Sequence, residues 1–199
     1  MKLFIGTNNK HKIEEIKNIL KGLDVELKTP DDLKVNIKIE EDAMTLEGNA
    51  FKKAKGFYDV VQMPVFADDT GLFIDLICGR PGVCSSRYAG ENATYDDNCK
   101  KLLEDMKDLP EGSRTGEFKT VICYYENPES VHYFKGEVRG KILTSKRGEN
   151  GFGYDPLFVP DEYDKTFAEM DAAEKNQFSH RARALAKFAE FLKNKKTGN

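Results

Sequence analysis

The chain has 199 residues, a formal net charge of −3, and 39% apolar against 33% charged residues. It is long enough to bury a core, and its balanced charge excludes a whole-surface attraction to nucleic acid or to an anionic membrane. Any anion it binds must be met by a local site. The opening MKLFIGTNNKHK has only a short apolar run, far from a signal-peptide core or the roughly 20 residues of a membrane span, so a cytoplasmic chain is expected. Cys78, Cys84, Cys99 and Cys123 form no paired zinc-binding spacing, and buried, reduced thiols are expected.

In chain order, KLFIGT reads as a short strand, followed by a helix capped by Asn8 or Asn9. Ile13, Ile16, Ile19 and Leu20 fall at helical spacing there, and Gly22 ends the run. DVELKT reads as a second strand, residues 31–42 as a polar, acidic loop, and Met44 to Tyr58 as a helix packed through Ala50, Ala54, Phe57 and Tyr58. PVFADD and LFIDLI read as two strands separated by a tight Thr70–Gly71 step, with RPGVCSSRYAG as a long loop after them. Residues 94–107 read as a helix, and RTGEFKTVICYYE and SVHYFKGEVRGKIL as a long antiparallel hairpin around ENPES. LTSKRGENGFGYDP is a second glycine-rich loop, SHRARALAKFAEFLKN a closing amphipathic helix with Ser179 as its cap, and KNKKTGN a frayed tail. Strands and helices mix without strict alternation, so residues 1–199 are expected to form one α/β domain of two lobes on a mixed sheet.

Four stretches carry chemistry. In TNNKHK a strand hands over to a helix whose free N–H groups and positive dipole end can seat a phosphate, with Lys12 adding a point charge; the Walker A pattern is absent. FADDTG places Asp68 and Asp69 side by side at what reads as a strand's end, where α/β sheets gather ligands. Carboxylates without nearby sulfur or imidazole favour Mg²⁺ or Mn²⁺ over zinc, and the acidic run Glu40, Glu41, Asp42 could add to them or be a solvated loop. GFGYDP combines glycines that let backbone approach a flat ring with Phe152 or Tyr154 to stack on it. Finally, EKNQFSHR offers Lys175, His180 and Arg181 as donors at the start of the last helix.

These stretches, in their order, resemble the RdgB/HAM1 family of inosine triphosphatases, the noncanonical purine NTP pyrophosphatases. The likeness runs through GTNNKHK, EEDAMTLEGNAFKKA, PVFADDTGL, GRPGVCSSRYAG, GFGYDPLFVP, TFAEM and AEKNQFSHRARAL. The resemblance implies a mixed, elongated α/β fold with a nucleotide cleft between two helix-flanked lobes, usually as a homodimer. It implies Mg²⁺-dependent hydrolysis of ITP, dITP and XTP to the monophosphate and pyrophosphate. Thr7, Asn9 and Lys12, in a turn with Asn8, Lys10 and His11, would hold the triphosphate, and Lys53 would reach it from the second helix. Glu40 or Glu41 with Asp69 would hold the metal, Asp68 supporting, and Asp69 would accept the proton. Thr70 keeps the hydroxyl of the family's usual serine, Asn8 stands where many relatives have glycine, and Ser86 replaces a common alanine. Phe152, Gly153, Tyr154, Asp155, Lys175, His180 and Arg181 match the base-binding motifs. Two alternatives stay open beside this reading: a Maf-like pyrophosphatase of other nucleotides, and a nucleotide-binding protein without turnover.

Overall fold

β1 (Lys2–Ile5) ends at Gly6, where an added Cβ would press to 3.0 Å on the side chains of Val65 and Ala67. In the computed structural model, which describes residues 1–197 with side chains as far as Lys195, the chain turns there into α1 (Lys10–Ile19). It continues through β2 (Glu26–Lys28), α2 (Pro30–Leu33), α3 (Leu46–Val61), β3 (Val65–Ile74) and β4 (Pro81–Gly82). Then come α4 (Tyr95–Asp105), β5 (Thr115–Asn127), β6 (Ser130–Ile142), β7 (Phe158–Pro160), α5 (Ala172–Lys175) and α6 (His180–Thr197). The strands form a mixed sheet in the order β2-β1-β3-β5-β6-β7, with β4 on β3. β1 is parallel to both β2 and β3, whereas β3–β4 and β6–β7 are antiparallel. Only Pro128 and Glu129 separate β5 from its neighbour β6, a link too short for anything except the expected hairpin.

The chain divides into two compact units. Unit 1 comprises Met1–Asp69, Thr120–Gly136 and the segment from Arg181 onward. One of its apolar clusters gathers Leu3, Ile5, Ile16, Phe66, Leu185 and Phe188; the other gathers Phe4, Ala50, Ala54, Phe57, Val65 and Ala67. Side chains alternate along a strand, so Phe66 belongs to the face covered by α1 and α6, and Val65 and Ala67 to the face covered by α3. Each large apolar side chain buried this way contributes about 1.5–3 kcal/mol, which is what fixes the strand's facing. Unit 2, Thr70–Lys119 with Glu137–His180, has a single cluster that includes Leu72, Ile74, Leu102, Phe118, Tyr154, Phe158 and Phe167.

Four expectations are corrected. PVFADD and LFIDLI form one ten-residue strand without a step at Thr70–Gly71. Gly71 is there for a close approach: its Cβ would lie 2.5 Å from the Gly82 carbonyl oxygen on β4. The acidic loop begins with α2, nucleated by Pro30 and a reciprocal cap between Thr29 and Asp32. Cys99 and Cys123 are buried, but Cys78 and Cys84 are exposed; all four are free thiols. The expected frayed tail is helical as far as Thr197, and Gly198 and Asn199 lie outside the described residues.

Candidate active site

Because β3 runs unbroken, Asp68 and Asp69 do not crowd each other at a strand end. Consecutive strand residues point to opposite faces, so Asp68 joins the α1/α6 side and Asp69 the α3 side. Both are buried.

On the first side one carboxylate meets two cations. Asp68 Oδ2 lies 3.0 Å from Lys12 Nζ on α1 and accepts from Arg181 Nη2 at 3.1 Å, at the start of α6. Arg181, only 1% exposed, also donates through Nη1 to Glu15, one turn after Lys12. Burial works to raise the Asp68 pKa, but Lys12 and Arg181 outweigh it and hold the carboxyl well below its usual range. Lys12 shares its anion with Arg181, so burial and the neighbouring cations leave its own pKa lowered.

On the second side one cation meets two carboxylates. Lys53 Nζ on α3 lies 3.0 Å from Asp69 Oδ1 and 3.2 Å from Glu41 Oε2. Asn49, one turn earlier on α3, donates from Nδ2 to Asp69 Oδ2 at 3.2 Å. Burial raises the Asp69 pKa above the ordinary carboxylate value against the pull of Lys53 and Lys12, and Glu41 adds to the rise. Lys53 is raised too: burial opposes its charge, but Asp69 and Glu41 prevail. Glu40 is exposed, and Asp42 pairs with Lys52 at the surface.

The donor chemistry of this second side fits a hard divalent cation. Two carboxylates already converge on one positive charge, and oxygen is the only ligand type they offer. No cluster of three or more His, Cys, Asp or Glu is gathered among the described residues, so a metal would draw its remaining ligands from water and phosphate, as Mg²⁺ does.

The turn between β1 and α1 is built from its own side chains. Thr7 Oγ1 accepts the Asn9 N–H at 3.2 Å, and Asn9 Oδ1 caps the helix by accepting the Lys12 N–H at 3.2 Å. Asn8 donates from Nδ2 to the Ile37 carbonyl at 2.9 Å, while Lys10 and His11 are exposed in the first turn. Asn9 is therefore the cap, and the turn brings Thr7, Asn9 and the Lys12 backbone together while the Lys12 ammonium reaches Asp68.

Unit 2 holds the second motif. Gly151 and Gly153 have φ of +72° and +64°, and a Cβ on Gly151 would lie 2.1 Å from Asp155 Oδ2. That oxygen accepts from the Phe152 N–H at 2.9 Å and from Lys175 Nζ at 2.6 Å, a buried ion pair. The Lys175 ammonium also sits 5.1 Å from the centroid of the half-buried Phe152 ring. Tyr154 is a core residue, with its hydroxyl donating to the Ser85 carbonyl at 2.9 Å, whereas the Phe152 ring packs against Tyr95, centroids 5.8 Å apart. His180 is buried and stacked on Phe118, centroids 4.5 Å apart. Thr70 is half-buried in β3.

A model of the Ham1 family matches residues 3–191. The dITP/XTP pyrophosphatase of Thermoanaerobacter pseudethanolicus is 48% identical over 192 residues, 96% of each chain. The chain belongs to the Ham1 family. A dITP/XTP pyrophosphatase of Porphyromonas gingivalis is 44% identical over 191 residues, 96% of this chain and 97% of that one. Among solved structures, the Staphylococcus aureus Ham1 protein matches with a TM-score of 0.86 at 35% identity, covering 98% of this chain and 100% of that one. A HAM1 protein from Coxiella burnetii gives 0.88 at 35% identity over 98% and 99%. The Maf-like alternative gives way to this membership.

Several residues of this Ham1 chain escape a reading of its motifs. Asn49, Glu15 and Asn98 each fix a neighbour. Asn98 on α4 accepts the Ala89 N–H at 2.8 Å and donates to the Ser86 carbonyl at 3.1 Å, pinning the SSRYAG segment. The available signal was spacing: Asn49 and Lys53, four apart, share a helix face, as do Lys12 and Glu15, three apart.

Proposed function

We propose that the chain hydrolyses the deaminated purine triphosphates dITP, ITP and XTP to the monophosphate and pyrophosphate, with Mg²⁺ as cofactor and Mn²⁺ able to replace it. The observation that carries this is the Asp69 side of β3, where a buried carboxylate shares Lys53 with Glu41. Glu41 and Asp69 would hold the metal, with Asp68 supporting and Glu40 as the other carboxylate of its segment. When bound, the ion supplies positive charge to the phosphate oxygens. That supply is needed because Lys12, Lys53 and Arg181 are already matched by carboxylates.

In this reading Thr7, Asn8, Asn9, Lys10 and His11 present the α1 N-terminus to the triphosphate, and Lys12 and Lys53 contact its oxygens. Asp69 orients a water and takes its proton as the water oxygen bonds to the α-phosphorus. The bond from that phosphorus to the bridging oxygen breaks, and the electron pair leaves on pyrophosphate.

The base falls to the unit 2 motif, where Phe152 offers a stacking face and Gly153 a close backbone approach. Lys175 and Asp155 set a donor beside an acceptor, which matches the 6-keto oxygen and N1–H of hypoxanthine and xanthine. Adenine reverses both groups and would leave buried polar atoms unpaired. His180 would support the keto side, Tyr154 would brace the motif from the core, and Thr70 would offer its hydroxyl to the substrate. Guanine shares the keto edge, so its rejection falls to the 2-amino group. The enzyme would be a cytoplasmic homodimer acting on free nucleotides, clearing the pool of deaminated purines.

The test is pyrophosphate release from dITP, ITP, XTP, GTP, ATP and dTTP, each with Mg²⁺ and with EDTA. Mg²⁺-dependent release from the first three, with weak turnover of GTP and ATP, is expected. A preference for dTTP, or release undiminished by EDTA, would contradict the proposal.

A further inference from the structure

Asn49 is a wholly buried polar residue that offers neither charge nor nucleophile. It lies four residues into α3 from the capping Thr45. Its Oδ1 accepts the Ala43 N–H at 2.9 Å, and its Nδ2 donates to Asp69 Oδ2 at 3.2 Å. The amide's orientation follows from its partners: the Ala43 N–H can only donate, so oxygen must face it, which turns the NH₂ toward the carboxylate. Ala43 stands two residues after Glu41, the carboxylate that shares Lys53 with Asp69. One rigid amide thus has one end on the Asp69 carboxylate and the other on the backbone of the Glu41 segment.

We infer that Asn49 is a positioning residue for the hydrolysis, orienting the Asp69 carboxylate and fixing its spacing from Glu41. The inference rests on the proposed role of Asp69 as proton acceptor. With Oδ2 held by Asn49 and Oδ1 by Lys53, the plane of the carboxylate is set from both sides. Without Asn49 the carboxylate could rotate about Cβ–Cγ, and the 40–43 segment would lose its tie to α3. Displacing a catalytic group by about 1 Å costs on the order of 100-fold in rate, so a residue that never touches the nucleotide can control turnover.

Two substitutions separate positioning from simple bracing. Asn49→Asp keeps an oxygen for the Ala43 N–H but, when ionised, cannot donate to Asp69; Asn49→Ala loses both bonds. Steady-state kinetics on dITP, thermal unfolding, and hydrogen exchange of the Ala43 amide would be measured on both, with Asp69→Asn alongside. The expected result is a fall in kcat on the order of 100-fold in both variants with KM within roughly threefold, and Ala43 protection retained only in Asn49→Asp. A wild-type kcat in Asn49→Asp, with loss confined to Asn49→Ala, would overturn the inference and leave Asn49 as a brace for the loop. Should Asn49→Asp not fold, Asn49→Ala decides through the same split, because a raised KM with unchanged kcat would contradict positioning. If Asp69→Asn turns over like the wild type, the reading of Asp69 fails and this inference with it. If Asp69→Asn is inactive while Asn49→Asp is normal, this inference alone fails.

Discussion

The two sides of β3 carry adjacent aspartates with opposite electrostatic surroundings. At Asp68 one anion is held between two cations, Lys12 and Arg181, and its proton is lost far more readily than usual. At Asp69 one cation, Lys53, serves two anions, and the carboxyl holds its proton more strongly than usual. With Glu15 on Arg181, the first arrangement sets two cations against two carboxylates, as a structural network should. The second sets the partly exposed Glu41 beside the buried Asp69, a surplus of negative charge that favours a divalent cation. The repulsion expected of adjacent aspartates is relieved by strand alternation before any ligand is considered.

If that contrast is right, Asp68→Asn has the largest effect on stability. Removing the anion takes their shared partner from the buried Arg181 and the half-buried Lys12, and urea unfolding should show a loss of about 3–5 kcal/mol at pH 7. The sign with pH is fixed by a lowered folded pKa: the Asp68 contribution is complete above its unfolded value of about 4 and is lost as pH falls through the folded one. The gap between wild type and variant should therefore hold at neutral pH and narrow in acid. A constant gap down to pH 2 would argue against the pairing.

Lys175→Met comes next. It strands Asp155 in the unit 2 motif, and urea unfolding should reveal a loss of about 3 kcal/mol together with a raised KM for dITP. An unchanged KM would detach this pair from base binding. Lys53→Met is smaller in the presence of metal: with the ammonium gone, Glu41 and Asp69 face each other, and millimolar Mg²⁺ should raise the thermal midpoint of this variant by several degrees more than that of the wild type. Equal midpoints in Mg²⁺ and EDTA would remove the metal from this side of β3.

The smallest effect concerns the thiols. Burial pushes Cys99 and Cys123 up to about 12, so a disulfide reagent should titrate only the two exposed cysteines in the native protein and all four after denaturation. Four reactive thiols in the native state would contradict the burial of both.

Much of the fold is legible in the sequence because it rests on local signals. The Asn9 cap, the helical spacing around Ile16 and the alternation in the first part of β5 and in β6 each depend on neighbours in the chain. The continuity of β3 does not: Thr70–Gly71 has the look of a turn, and only the approach of the Gly82 carbonyl explains the glycine. The motif residues are visible for the same local reason, but their pairing is not. Lys53 reaches Asp69 across 16 positions and Arg181 reaches Asp68 across 113, separations that no pattern in the chain encodes. The two asparagines are the instructive miss. Thr45 with Asn49 and Thr94 with Asn98 repeat one device, a capping threonine followed four residues later by an asparagine whose oxygen takes a loop N–H. In unit 2 the amide then grips backbone, whereas in unit 1 it grips the Asp69 carboxylate.

The decisive comparison is Asp69→Asn beside Asp68→Asn, with pyrophosphate release from dITP and the urea midpoint measured on the same preparations. Asp69→Asn should unfold at a urea concentration no lower than the wild type and yet release pyrophosphate about 1,000-fold more slowly, while Asp68→Asn loses stability. An Asp69→Asn protein that hydrolyses dITP at the wild-type rate would contradict the assignment of chemistry to that side of the strand.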